Sequence, residues 1–224
     1  MKKPVVDYRG FRLSKINEPQ YKHLKLLLGW LVYFLFYFLT ESFIPVEKCH
    51  LIHSALDDKI PFNEFFFIPY CFWYVLIVIS LGYFALYNVD NFKNLQIYII
   101  ITQVVAMTVY ILYPSVQDLR PAEFVRDNLF TKIATLIYTF DTPTGVCPSL
   151  HVAYSLGIGS CWLKEKSASK PWKAFIVFCV VLISISTTVV KQHSVIDIAA
   201  ALPVGLLAEI LVFGKYWKAK LQKV

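Results

Sequence analysis

The sequence predicts an all-α fold: a six-transmembrane-helix bundle with an interfacial amphipathic helix in the loop between spans three and four. Three observations lead there. First, 57% of the 224 residues are hydrophobic and only 17% charged; a soluble domain of this length carries about a quarter charged residues and under half apolar. Second, apolar blocks recur at or near the roughly 20 residues needed to cross a bilayer. Third, the 22 lysines and arginines gather at the two ends and in alternate turns between the blocks.

Residues 1–23 form a basic N-terminal segment, with Lys2, Lys3, Arg9, Arg12, Lys15 and Lys22. The first span follows at about Leu24–Pro45. It is longer than a secretory apolar region, and no small-residue cleavage site follows it, so it is read as retained. A charged loop at 46–64 leads to a second span near Phe65–Tyr87. A short turn with Asn88, Asp90, Asn91 and Lys93 leads to a third near Leu95–Tyr113.

A longer, more polar connection runs from Pro114 to Pro148. Within it Val125, Leu129, Ile133, Leu136 and Ile137 recur at helical spacing, the pattern of a helix lying along the membrane surface. The fourth span is short, about Ser149–Leu163; the fifth runs about Trp172–Val190 and the sixth about Ser194–Trp217. Residues 24–217 make up one membrane domain, and 218–224 a basic tail. With both ends inside, the inner segments hold 16 of the 22 basic residues and the outer segments six. That asymmetry places both termini in the cytoplasm. It also accounts for the net charge of +7 without a nucleic-acid partner. The setting expected is the cell membrane.

Cys71, Cys161 and Cys179 fall within spans, as small apolar residues. Cys49 and Cys147 fall in outward loops, where a disulfide between them is chemically permitted. His50 and His53 stand near Asp57 and Asp58 in the first outer loop; a solvated loop is the expectation there rather than a metal site.

The stretch Lys191-Gln192-His193-Ser194-Val195-Ile196-Asp197 breaks this greasy background. Ionisable groups at membrane depth are costly and mark functional sites by default. In a helix starting near His193, Asp197 lies one turn on, and its carboxylate accepts one ring N–H and leaves the other nitrogen bare. His and Asp four apart are common on helices, so the pair alone does not settle a function. Two further motifs fall on the same outer side. Arg120-Pro121 supplies a planar fork that matches phosphate oxygens. In Pro148-Ser149-Leu150-His151 the proline suits a helix start, whose free amides form an anion site. His151 stands there placed to donate a proton.

In order and spacing, Arg120-Pro121, Pro148-Ser149-x-His151 and Ser186-x6-His193-x3-Asp197 resemble the type 2 phosphatidic acid phosphatase superfamily. That superfamily spans membrane lipid phosphatases, lipid phosphotransferases and soluble vanadium haloperoxidases. The chain departs from the family pattern at three positions: Tyr113 stands for the first-motif lysine, Leu150 for the second-motif glycine and Thr187 for the third-motif arginine. Loosened motifs of this kind look like the branch containing the inositol phosphorylceramide and sphingomyelin synthases.

The resemblance implies a metal-independent phosphoric ester hydrolase that works through a phosphohistidine, without a cofactor, on a membrane lipid (a phospholipid or an isoprenoid phosphate). His193 would attack phosphorus, Asp197 would orient it, and His151 would serve as acid and then base. Arg120, Ser149 and Lys191 would hold phosphate, with Lys191 replacing a missing cation. Transfer of a phospho-headgroup to a lipid alcohol is the second reading. A non-catalytic membrane protein is the third, and the ionisable residues gathered on one face argue against it.

Overall fold

The computed structural model describes residues 3–222. Lys2 of the N-terminal segment and Lys223 of the tail lie outside the described residues. Among the described residues seven α-helices carry the fold: α1 Leu28–Phe43, α2 Phe67–Tyr87, α3 Val89–Leu112, α4 Leu129–Phe140, α5 Leu150–Lys164, α6 Lys170–Val189 and α7 Val195–Leu221. Five helical segments are long and apolar enough to cross a membrane: Lys22–Phe43, which joins a 3-10 turn to α1, then Glu64–Tyr87, α3, α6 and α7.

Two boundaries moved for identifiable reasons. Helix α3 starts at Val89, six residues before the expected Leu95, because the Asn88 side chain accepts the Asn91 N–H and caps it. The polar residues read as a turn are instead the first turn of the helix, and Asn91 is buried against Glu165. Helix α7 continues through Lys218 and Lys220 to Leu221, so the basic tail is helical through most of its length.

Helix α5, only 15 residues long, is the hub. It packs against α3, α6 and α7, and ten of its residues are buried. Small residues allow that closeness: a Cβ on Gly157 would stand 2.5 Å from the Tyr98 ring. Tyr98 itself donates to the Gly205 carbonyl at 2.8 Å, so α3, α5 and α7 are drawn together as small-residue interfaces in membranes are. Helix α2 lies against α3 and α6, while α1 leans on α3. Across the gap between α1 and α2 lies a cavity walled by both.

The connections that follow α1 and α3 are tied together by a feature the sequence did not announce. His50–Leu51 (β1) pairs in parallel with Ser115–Val116 (β2), and His53 bridges Asp58 and Asp118, each at 2.9 Å. The connection after α3 contains α4, but Val125 lies outside it and is fully exposed. Thr131 and Ala134 are the buried positions of α4, with Ile133, Ile137 and Tyr138 packed beside them. Leu129, Leu136 and Phe140 point outward. The apolar stripe read from the sequence is therefore split between both sides of the helix.

Candidate active site

The site is assembled where the N-termini of α5 and α7 meet. Strand β2 shapes the approach to α5: the Ser115 hydroxyl accepts the Val146 and Cys147 N–H groups, both at 3.1 Å. Gly145 has φ +58° and sits against the Tyr110 ring, a left-handed conformation that favours glycine. Tyr110 donates to the Pro148 carbonyl at 2.7 Å. Helix α5 begins at Leu150 with Ser149 as its cap, so Pro148 precedes the helix rather than opening it. The Ser149 N–H is taken by the Asp197 carbonyl at 3.1 Å. Its hydroxyl is buried with no partner among the described residues, and no side chain caps the first-turn amides of α5.

Helix α7 starts at Val195, with Ser194 as its cap. His193 therefore stands just before the helix. Asp197 still reaches it, because a third-position side chain leans back over the cap. One carboxylate oxygen accepts the Ser194 N–H at 2.9 Å and lies 3.1 Å from His193 Nδ1. A carboxylate only accepts, so Nδ1 carries the hydrogen and Nε2 a lone pair. That lone pair faces His151 Nδ1 at 3.4 Å. Two imidazoles 42 residues apart in sequence thus meet in one place. His151 is stacked on Tyr70 and tilted against Trp73, with ring centroids 4.6 and 4.1 Å away, and its Nε2 has no partner among the described residues.

Arg120 and Lys191 are placed differently from expectation. Arg120 donates to the carbonyls of Tyr138 (3.1 Å), Asp141 (2.7 Å) and Thr142 (3.1 Å), and to Gln192 Oε1 (2.6 Å). The unsatisfied carbonyls at the C-terminal end of α4 draw it in. The Lys191 ammonium donates to the Asp57 carbonyl at 2.7 Å, and its backbone has φ 57° in the turn between α6 and α7. Neither cation lines the cavity below the histidines. Both hold the walls of the site through these contacts.

Asp57, read from the sequence as part of a solvated loop, is buried. Its carboxylate accepts from Ser194 Oγ at 2.6 Å and from the Val195 N–H at 2.9 Å, which fixes the start of α7 beside His193. It also accepts the nearby Ser54 N–H at 2.8 Å, but the partners that tie it to the site lie 137 and 138 residues away, beyond what the local sequence could mark. Asp141 and Gln192 were also missed. Gln192 Nε2 donates to the Asp141 carboxylate at 2.9 Å; Tyr37 and Tyr70 hydroxyls lie 3.3 and 3.5 Å from the same carboxylate. Burial raises the Asp141 carboxyl above its ordinary value.

Cys49 and Cys147 are both free thiols, and each has its own surroundings. Cys49 Sγ faces the Pro45 carbonyl at 3.7 Å, whereas Cys147 lies beside Asp197, where burial first and that carboxylate second push its thiol up to about 12. Among the described residues no three His, Cys, Asp or Glu side chains are grouped to hold a metal ion.

The histidine pair opens onto a cavity of about 430 Å³, lined by Gln192, His193, His151 and Leu150 at its head. Its walls descend along Trp30, Phe34 and Tyr37 of α1 and Trp73, Ile77 and Leu81 of α2. Trp30 to Tyr37 spans seven residues, so the cavity runs about 10 Å along the helices. Compared with family models, with curated proteins and with solved structures, the chain matches none.

Proposed function

We propose that the protein is an integral membrane lipid phosphate phosphatase of the type 2 phosphatidic acid phosphatase kind, working through a phosphohistidine at the extracytoplasmic face. One observation carries the reading: His151 and His193 converge at 3.4 Å, with Asp197 behind His193, at the head of a cavity lying between two membrane helices. A passive bundle has no use for that arrangement.

In this reading α5 counts as a sixth span, α4 rides on the outer surface of the cell membrane, and both termini are cytoplasmic. The lipid enters sideways between α1 and α2, its chains against Phe34, Ile77 and Leu81. Its phosphate meets the uncapped amides of α5 and the free Ser149 hydroxyl. The 3.4 Å between the imidazoles leaves no room for phosphorus, so His151 turns away as the phosphate enters. His193 Nε2 then bonds to phosphorus and the bond from phosphorus to the lipid oxygen breaks. His151, as imidazolium, gives that oxygen its proton. A water next loses a proton to His151 and displaces His193, which releases phosphate.

Phosphate release from lipid phosphates by the purified protein in detergent, with a chelator present, tests this. Release that disappears in His193→Ala is expected; full release in that variant overturns the mechanism. The apolar walls of the cavity also favour a second reading, in which a lipid alcohol replaces water as acceptor. Label from a phospholipid appearing in a new lipid rather than in water-soluble phosphate would make that reading the correct one.

A further inference from the structure

The cavity beneath the histidines has an unusual wall for a phosphate enzyme. Tyr33, Tyr37, Trp73 and Tyr74 line it together with Asp141, and no lysine or arginine does. Asp141 accepts only from neutral donors, Gln192, Tyr37 and Tyr70. The one nearby guanidinium, Arg120, is spent on the Asp141 main-chain carbonyl and its neighbours, and Asp141 makes no ion pair among the described residues. Buried carboxylates are ordinarily paired with a cation. Here Arg120 and His193 act on the carboxylate only from a distance, no ammonium or guanidinium among the described residues touches it, and the space for one is present. A second carboxylate, Glu41, lies at the rim and accepts from Thr144 at 2.7 Å and from Thr142.

We propose that this cavity takes a positively charged amine or quaternary ammonium group, the headgroup cation of a zwitterionic phospholipid, held among the rings of Tyr33, Tyr37, Trp73 and Tyr74 and by the Asp141 carboxylate. Aromatic faces attract such cations through their quadrupole, and most strongly where water is excluded. The proposal rests on the reading that a lipid phosphate sits at His151 and His193, and it specifies which lipid. A headgroup cation is joined to its phosphate by a two-carbon link, so a phosphate at the α5 N-terminus delivers it to the neighbouring aromatic wall. A second phosphate, as in a diphosphate, finds no cation there. A phosphodiester with an amine headgroup is therefore preferred over a plain lipid monophosphate. Breaking its bond from phosphorus to the lipid oxygen leaves the headgroup phosphate on His193, so water releases the phosphorylated amine alcohol where a monophosphate would give phosphate.

The test uses the full chain in maltoside detergent and the fluorescence of Trp30 and Trp73 in the cavity wall. Dihexanoyl phosphatidylcholine is titrated below its micellar concentration, beside the phosphatidylglycerol and phosphatidic acid of equal chain length. Binding about tenfold tighter for the choline lipid is expected, the scale of one to two good cation–ring contacts. Asp141→Asn and, separately, Tyr74→Leu should shrink that preference; Tyr74 is half exposed, so its replacement keeps this arm informative where Asp141→Asn fails to fold. Equal or weaker binding of the choline lipid to the unaltered protein overturns the proposal. Turnover is measured in parallel on the same protein. Choline preference without turnover would remove only the catalytic reading, and turnover without choline preference would remove only this one.

Discussion

The cavity below the histidines and the C-terminal ends of α5 and α7 are built from the same parts and completed differently. At the C-terminal ends Lys164 lies 4.1 Å from the Phe213 ring centroid, 4.9 Å from Trp217 and 5.4 Å from Tyr216. Its ammonium donates to Glu209 at 2.6 Å, which also accepts from Ser160 and Trp217. Rings, a carboxylate and an ammonium make a closed set. The cavity offers the rings and the carboxylate of Asp141 without an ammonium, and it adds a pair of histidines. The Lys164 group is a structural clasp because its cation belongs to the chain. In the proposal made above, the cavity is a receptor whose cation belongs to a ligand.

The largest effect that would sharpen this contrast is on turnover. His193→Ala should reduce phosphate release below detection. His151→Ala should cut it by about 10²- to 10⁴-fold, the range for losing a general acid. Neither should lower stability much, whereas at the C-terminal ends of α5 and α7 the order reverses. Lys164→Met leaves the partly buried Glu209 without its cation and should cost about 2 kcal/mol in denaturant unfolding, less than breaking a fully buried pair does. Adding Glu209→Gln should recover much of that loss. Equal sensitivity of stability at the two places would erase the distinction.

A smaller effect is expected from Asp57→Ala, which strips the start of α7 of two partners. Unfolding should become easier by about 2 kcal/mol, the cost of unsatisfied buried donors. An unchanged midpoint would mean that water replaces the carboxylate. The smallest effect concerns His53, whose pKa is raised above its ordinary value by its hydrogen bonds to Asp118 first and Asp58 second. A raised value stabilises the folded state fully below the unfolded pKa and loses that contribution as pH rises through the folded one. Amide exchange at Ile52, whose N–H donates to Val116, should therefore speed up over that window beyond its intrinsic pH dependence. In His53→Ala that excess should vanish.

Much of this arrangement was readable along the chain. Long apolar blocks can only be helices in a membrane, since every backbone group must be satisfied within the segment; hence α1, α2, α3, α6 and α7 fall close to where their hydropathy put them. His151, His193 and Asp197 stood out as ionisable residues in apolar surroundings, and the lean of a third-position carboxylate toward its helix cap is local geometry. What the sequence could not reveal depends on partners far apart in it. Arg120 is drawn to carbonyls at the end of α4 and Lys191 to Asp57, so neither side chain lines the cavity. Asp141 matters only because α1 and α2 stand apart around it, and Asp57 only because the loop after α1 folds onto α7. Hydrophobic pattern and capping act over a few residues and so fix the helices; where a charge ends up is decided by which distant backbone groups need it once those helices pack.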